Sequence, residues 1–449
     1  MRRRATLLVL VLALSGLPVT AGAQALDWHP CKELAAGWPG TDPATECALL
    51  TVPLNHDDPS GRRIEIAVSR LKASEPAKRR GVLLMNPGGP GLPGTTMPER
   101  GLGTGLGRLA QEYDLIGFDL RGSGYSSKVT CPVLDEVRPA ATEDDAYAQE
   151  QERVGRAMEQ CADQDRDLVG SMTTLTMARD MDAIRRALGE KTISYYGISW
   201  GSALGLTYRG VFDSQVDRML LDSVTVPGQY FDRARDRSAA VEELATEFFG
   251  WLAQRDAGYH FGGSAAAVRT ALLDLRGRTD GDRVDQLLGS AQPNWSAAAD
   301  ELAAIRDGKA GKAVTVTSPG NLFVHYAVYC NDSSAQRSPA KDPSATRRWR
   351  TEFPVAGYRS FPPETGGVCG HWPFASRPVT PGKGYSSLQL VGHRWESITP
   401  FGWARSAQQA VGGALLTVPD AQHGSFGNLD CAQRGVDFLT GGAAVSGDC

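Results

Sequence analysis

The segment Lys191 to Ser202 constrains the fold of this chain more than any other. Its first half, Ile193-Ser194-Tyr195-Tyr196, is β-branched and aromatic, as a strand favours. Gly197-Ile198-Ser199-Trp200-Gly201 then fits G-x-S-x-G, and a run able to turn helical, Ser202 to Tyr208, follows. Strand, sharp turn and helix with a serine at the apex form a nucleophile elbow, which lifts one hydroxyl above a sheet. The two glycines belong there because a Cβ at either would collide where strand and helix converge. The helix start also aims free N–H groups at any oxyanion beside Ser199. With 51 glycines in the chain, chance matches to the bare pentapeptide are easy. The flanking strand and helix therefore carry the reading; the bland alternative is a tight turn with a solvent-facing serine.

Around this segment, buried strands and amphipathic helices alternate. Gly81-Val82-Leu83-Leu84-Met85 is continuously apolar, as expected for a parallel strand covered on both faces. It runs into Asn86-Pro87-Gly88-Gly89-Pro90-Gly91, a loop whose backbone amides can approach a ligand unobstructed. Tyr113 to Asp119 is the next strand. Residues 174–189 form a helix with Met177, Met181, Ile184 and Leu188 on one stripe and Gly189 as its stop. Arg218 to Val224 follows as a strand, and Leu388 to Val391 and Ala414 to Val418 resume the sheet. Such alternation predicts a parallel α/β sheet. Residues 26–80 read as a β-rich lead-in, with strands at Cys47 to Pro53 and Ile64 to Val68. Residues 226–382 read as a helical cap insertion, with helices at Ala239 to Ala253, Ala265 to Leu275 and Ala297 to Ile305. The predicted division is 1–25 signal peptide, 26–225 first part of the core, 226–382 cap and 383–449 second part of the core.

A serine nucleophile needs a base to take its proton and an acid to orient that base. In an elbow-bearing sheet the order along the chain is serine, acid, histidine. Asp420-Ala421-Gln422-His423-Gly424 follows the last strand and places His423 at the reacting edge. Of the other histidines, His29 and His56 precede the sheet, His260, His325 and His371 fall in the insertion, and His393 belongs to the acid loop. The base is therefore His423. Glu396, in Arg394-Trp395-Glu396-Ser397, is the expected acid, with Asp222 and Asp420 as rivals that also follow strands. The oxyanion hole needs two backbone N–H groups. Trp200 supplies one and Gly89 the other, with Gly88 as alternative; such donors contribute about 10²–10³ in rate each.

The N-terminus reads Met1-Arg2-Arg3-Arg4, a short apolar run from Ala5 to Leu14, then Ala21-Gly22-Ala23, the layout of a secretory signal. The run is too short to span a bilayer, and no cysteine follows it to carry a lipid anchor. A secreted, extracellular protein without membrane attachment after cleavage is expected, by either the general or the twin-arginine route. Eight cysteines, an even count in an exported chain, argue for disulfides. Nearest-neighbour pairing (Cys31–Cys47, Cys131–Cys161, Cys330–Cys369, Cys431–Cys449) closes modest loops within single segments. No C-x-x-C or H-x-x-x-H spacing supports a metal. The net charge of −4 and pI near 6.0 give no basic excess, so no nucleic-acid partner is expected. Neither a cofactor nor a partner subunit is expected; the chain reads as a monomer acting on a peptide or a small ester.

At these residues the chain resembles the α/β-hydrolase peptidases of the proline iminopeptidase and tripeptidyl aminopeptidase group, the secreted actinobacterial tripeptidyl aminopeptidases in particular. The resemblance rests on Asn86 to Gly91, Gly117-Phe118-Asp119-Leu120-Arg121-Gly122-Ser123-Gly124, Ala178 to Arg185, Tyr195 to Gly201, and Cys431 to Cys449. It implies an α/β-hydrolase fold, a mostly parallel doubly wound sheet with a helical cap, and removal of short peptides from free N-termini. The sequence departs from the family at Glu396, where an aspartate is usual, at Pro93, where a serine is usual, and in Asn331 to Ala335, which lacks a customary tryptophan. Three functions compete: a serine exopeptidase, an esterase or other acyl hydrolase of small molecules, and a binding protein on a hydrolase scaffold. An exopeptidase must bind an α-ammonium, for which Asp332 is the first candidate carboxylate, with Glu352 and Glu364 as alternatives.

Overall fold

The computed structural model describes residues 25–35, 37–38, 42–134, 144–227, 233–279, 281–290, 294–309, 321–333, 343–358 and 367–449. The expected signal segment falls almost wholly outside these residues, and so does Glu364. Among them, no helix is long and apolar enough to cross a membrane.

The strands are β1 (His29–Pro30), β2 (Glu46–Pro53), β3 (Arg63–Leu71), β4 (Gly81–Asn86), β5 (Tyr113–Phe118), β6 (Ile193–Ile198), β7 (Val216–Asp222), β8 (Ser387–His393), β9 (Ala414–Val418) and β10 (Gly447–Asp448). They form one sheet in the order β1-β2-β3-β5-β4-β6-β7-β8-β9-β10. From β5 through β10 every neighbour is parallel, whereas β1, β2 and β3 add an antiparallel edge.

The continuous apolar runs follow from coverage on both faces. Side chains of a strand alternate sides, so Val82 and Leu84 of β4 enter one core while Leu83 and Met85 enter the other. The first core takes the helices Thr174–Ala187, Trp200–Phe212 and Phe401–Val411; the second takes Ala432–Leu439. Met177, Met181 and Ile184 are fully buried on the predicted stripe. The turn after β5 is locked by Arg121, itself fully buried, whose Nε and Nη2 donate to Asp180 at 2.7 and 2.6 Å and whose Nη1 donates to the Leu54 carbonyl. Removing either partner of such a buried pair costs about 3–5 kcal/mol.

Within 226–382, the helices Ala234–Ala253, Ala265–Arg278, Gly281–Leu288 and Trp295–Arg306 share a core of their own around Phe248, Leu272, Trp295 and Leu302. The helix Leu322–Asp332 does not join them. Its Phe323, Val324, Ala327 and Val328 pack into the first core of the sheet, as do Val368 and Trp372. Polar ties explain the docking: Asn331 Nδ2 donates to the carbonyls of Val169 and Met172, and Trp372 Nε1 donates back to Asn331 Oδ1. The disulfides join Cys31–Cys47, Cys131–Cys161, Cys330–Cys369 and Cys431–Cys449, the nearest-neighbour set, and no cysteine is free.

Candidate active site

Ser199 follows β6 directly and precedes the helix Trp200–Phe212. Its φ of 59° and ψ of −128° lie where a side chain is rarely tolerated, a conformation costing about 1–3 kcal/mol. Three hydrogen bonds hold it there. Ser199 N donates to the Asp222 carbonyl at 2.9 Å, and Ser202 donates to the Ser199 carbonyl through its N–H at 2.8 Å and its hydroxyl at 2.5 Å. The flanking glycines are a matter of space: a Cβ on Gly197 would lie 2.5 Å from the Gly201 carbonyl oxygen, and one on Gly201 would lie 2.7 Å from the Asn86 carbonyl oxygen.

The loop after β4 lies against this elbow. A Cβ on Gly88 would sit 2.9 Å from Ser199 Cβ and 3.1 Å from Trp200 N, and its φ of +89° suits glycine alone. Gly88 N–H is turned back onto Asn86 Oδ1 at 2.9 Å. The helix Leu322–Asp332 braces the loop from outside. Asn321 N donates to the Gly91 carbonyl, and Tyr329 Oη donates to the Gly89 carbonyl. His325 sits on the same helix against the backbone of Gly89 and Pro90; burial, assisted by the charge of Arg237, lowers its pKa to about 4 and keeps the ring neutral.

Glu396 and His423 meet. Glu396 Oε1 takes the proton-bearing Nδ1 of His423, together with Thr399 N at 3.0 Å and Thr399 Oγ1 at 2.6 Å. Glu396 Oε2 accepts from Ser223 Oγ at 2.9 Å, and that hydroxyl in turn accepts from Gly424 N at 2.8 Å. Burial alone would raise the Glu396 carboxyl. The charge and hydrogen bond of His423, with the charge of His393 behind them, outweigh it and hold the group below its ordinary value. The glutamate is fully buried whereas the His423 side chain is 27% exposed. The base loop also touches the elbow, since a Cβ on Gly424 would lie 2.7 Å from Ile198 Cγ2.

The two rival acids go elsewhere. Asp222 Oδ1 lies 2.8 Å from His393 Nε2, and Asp420 Oδ1 lies 2.6 Å from His393 Nδ1. Neither is bonded to His423. Asp332, the carboxylate expected to meet a substrate amino group, is also committed: both oxygens accept from Thr174, at its backbone N–H and its hydroxyl, and the residue is 1% exposed. Burial raises its pKa to about 7. It is buried on the first residue of the helix Thr174–Ala187, whose N-cap is Thr173, and so does not stand where the sequence reading expected it to meet an amino group. Glu352 is exposed and paired with Arg235. Ser223, Thr399 and His393 went unpredicted as parts of the site. Their only trace in the sequence is position, directly after or at the end of a strand or three residues from Glu396. An opening of about 280 Å3 is walled by Trp251 of the helix Ala234–Ala253, by Trp295 of the helix Trp295–Arg306, and by Trp395 and Ala421 of the loops after β8 and β9.

Comparison with known proteins fits this geometry. Residues 81–304 match the family described as alpha/beta hydrolase fold, and residues 362–447 match the TAP-like protein family. A tripeptidyl aminopeptidase of Streptomyces coelicolor is 30% identical over 94% of this chain and 85% of its own length. Serine protease Hip1 of Mycobacterium tuberculosis is 25% identical over 89% and 85%. A carboxylesterase B of the same organism is 27% identical over 94% and 88%. With the elbow, the braced glycine loop and the acid–histidine pair on one parallel sheet, the chain belongs to the tripeptidyl aminopeptidase group of α/β-hydrolases.

Proposed function

We propose that this chain is an exported serine exopeptidase that releases short peptides or amino acids from free N-termini through an acyl-enzyme on Ser199. In this reading Ser199 Oγ attacks the scissile carbonyl while His423 Nε2 takes its proton. Glu396 holds the ring in the tautomer that leaves Nε2 free to accept, and it stabilises the imidazolium that forms. The N–H groups of Trp200 and Gly89 receive the developing oxyanion. His423 then gives its proton to the leaving amine, and a water activated by the same ring hydrolyses the ester. The enzyme works as a monomer and needs neither metal nor cofactor.

The observation that carries the reading is the shared edge. The strained Ser199, the Gly88–Gly89 loop and the Glu396–His423 pair all follow the carboxyl ends of parallel strands of one sheet, β6, β4, β8 and β9, with only β7 between them, where ligands of open α/β sheets bind. The tripeptidyl aminopeptidase and serine protease relatives support a peptide substrate. Export is supported by the N-terminal pattern and the four disulfides. A second reading, an esterase of small molecules, is favoured by the commitment of Asp332 to Thr174, which removes the first candidate for binding an ammonium. One panel separates the two: tripeptidyl and aminoacyl anilides beside acetyl and butyryl esters. The peptidase reading expects the free-amine anilides to be turned over and their N-acetylated forms to be refused. Turnover of the esters alone would establish the second.

A further inference from the structure

His393 ends β8 with no exposed surface, and both ring nitrogens face carboxylates, Nε2 to Asp222 at 2.8 Å and Nδ1 to Asp420 at 2.6 Å. A neutral imidazole has one N–H, so it can donate to one carboxylate and must turn a lone pair on the other. With both carboxylates ionised, only the imidazolium satisfies both. The remaining oxygens reach into the loop that carries His423: Asp222 Oδ2 accepts from Phe426 N at 3.2 Å, and Asp420 Oδ2 accepts from Ser425 Oγ at 2.7 Å. Asp420 lies three residues before His423, and Ser425 and Phe426 lie two and three after it. The base loop is thus pinned on both sides of the base. The adjoining residues continue the tie, since Ser223 follows Asp222 and bridges Glu396 to Gly424, and Trp395 N donates to the Asp420 carbonyl.

We propose that His393 is a constitutive imidazolium clamp, a positioning residue that joins Asp222 of β7 to Asp420 of the base loop and so fixes His423 against Glu396. The clamp is a charge device as well as a tether. The charged and titratable groups that face it are Asp222 from β7, Asp420 from the base loop and Glu396 from the acid loop, with the Tyr196 hydroxyl of β6 behind Asp222 at 3.5 Å. Three carboxylates thus converge on the ends of β7, β8 and β9, and the ring supplies the buried positive charge between them. Burial opposes that charge, but the hydrogen bonds of Asp222 and Asp420, with the charges of Asp222 and Glu396, outweigh it and raise the ring to about 10. The inference rests on the proposed roles of His423 and Glu396 only for its effect on rate; the protonation state of His393 stands apart from them.

The test has two arms. Neutron diffraction from crystals of the wild-type protein near pH 8 should show hydrogen isotope on both Nδ1 and Nε2 of His393; one bare nitrogen would overturn the clamp, whatever the catalytic roles prove to be. In solution, His393→Gln should lower kcat by about 10²-fold, the scale of a misplaced catalytic group, with KM changed by less than about threefold. It should also move the acid limb of the kcat/KM profile to higher pH, because a positive charge near the base is lost. The double variant His393→Gln/Asp420→Asn restores the charge balance and should return the limb toward wild type. An unmoved limb in the single variant, or no return in the double, would reduce His393 to packing. Fluorophosphonate labelling of Ser199 in the same samples reports separately on the catalytic reading.

Discussion

His423 and His393 stand at the carboxyl ends of neighbouring strands, each on a buried carboxylate, and they differ in what surrounds the second nitrogen. His423 gives Nδ1 to Glu396 and keeps 27% of its side chain in the open. His393 gives both nitrogens to aspartates and has no exposed surface. A general base must gain and lose a proton within each cycle, so it needs a nitrogen that no carboxylate occupies. A buried ring between two carboxylates holds its proton and cannot serve. On the proposed reading the same residue types divide into a reacting pair and a holding trio, and the count of carboxylates and access set the division.

Substitution sharpens the contrast, beginning with the largest effect. His423→Ala should lower kcat by about 10⁶-fold, as removal of a triad base does, while the circular dichroism spectrum stays that of the wild type. A comparable rate loss in His393→Gln would erase the distinction between the two rings. Glu396→Gln keeps the shape but favours the wrong tautomer, and should cost up to ~10⁴ in kcat. Glu396→Asp retains the charge and should cost far less; steady-state kinetics on any turned-over substrate decides both. Asp222→Asn should instead act on stability. It weakens the charge-assisted hydrogen bond at His393 Nε2 while Asp420 still balances the ring at Nδ1, a loss of about 1.5–3 kcal/mol, visible as a lower denaturant midpoint, with kcat within about tenfold of wild type. If Asp222→Asn crippled turnover and Glu396→Gln did not, the acid would belong one strand earlier.

The smallest effect is a pH slope. The folded His393 ring titrates at about 10 against 6.5 for an ordinary histidine. Its stabilisation is therefore complete below about pH 6.5 and is lost as pH rises toward 10, with a limiting slope of about 1.4 kcal/mol per pH unit. Asp332, raised to about 7, sheds stability in the same direction but at lower pH, from its ordinary 3.8 upward. The interval from pH 7 to 9 thus lies above Asp332 and below the buried tyrosines, whose raised pKa values act from about 10 upward, and it reads His393. Chemical denaturation across it should show falling stability in the wild type and a flatter profile in His393→Gln.

The elbow, the glycine loop, the parallel sheet and the base loop were legible in the sequence because each is local: a strand pattern, a turn and a helix in succession. The pairing of acids with histidines was legible only in part: chain order pointed to Glu396 for His423 but left Asp222 and Asp420 as rivals and gave no sign of their joint hold on His393, for a geometric reason. Strands β8 and β9 are in register, so the His393–Asp420 and Glu396–His423 pairs share a separation of 27 residues. Each loop carries one carboxylate and one histidine, and spacing alone cannot say which partners which. The place of the helix Leu322–Asp332 was hidden similarly. Its apolar residues announce burial, but only the side-chain ties of Asn331 and Asp332 to residues 169–174 decide that it docks on the sheet and braces the oxyanion loop. Those same ties consume Asp332 and undo the expectation that it would greet a substrate.

The most direct test of the division is chemical. The purified protein should be treated with a fluorophosphonate, digested, and mapped by mass spectrometry, alongside His423→Ala and His393→Gln. The account predicts one adduct, on Ser199, formed readily in the wild type, nearly abolished in His423→Ala and slowed but present in His393→Gln. An adduct on any other residue with Ser199 unmodified, or full labelling of Ser199 in His423→Ala, would contradict it.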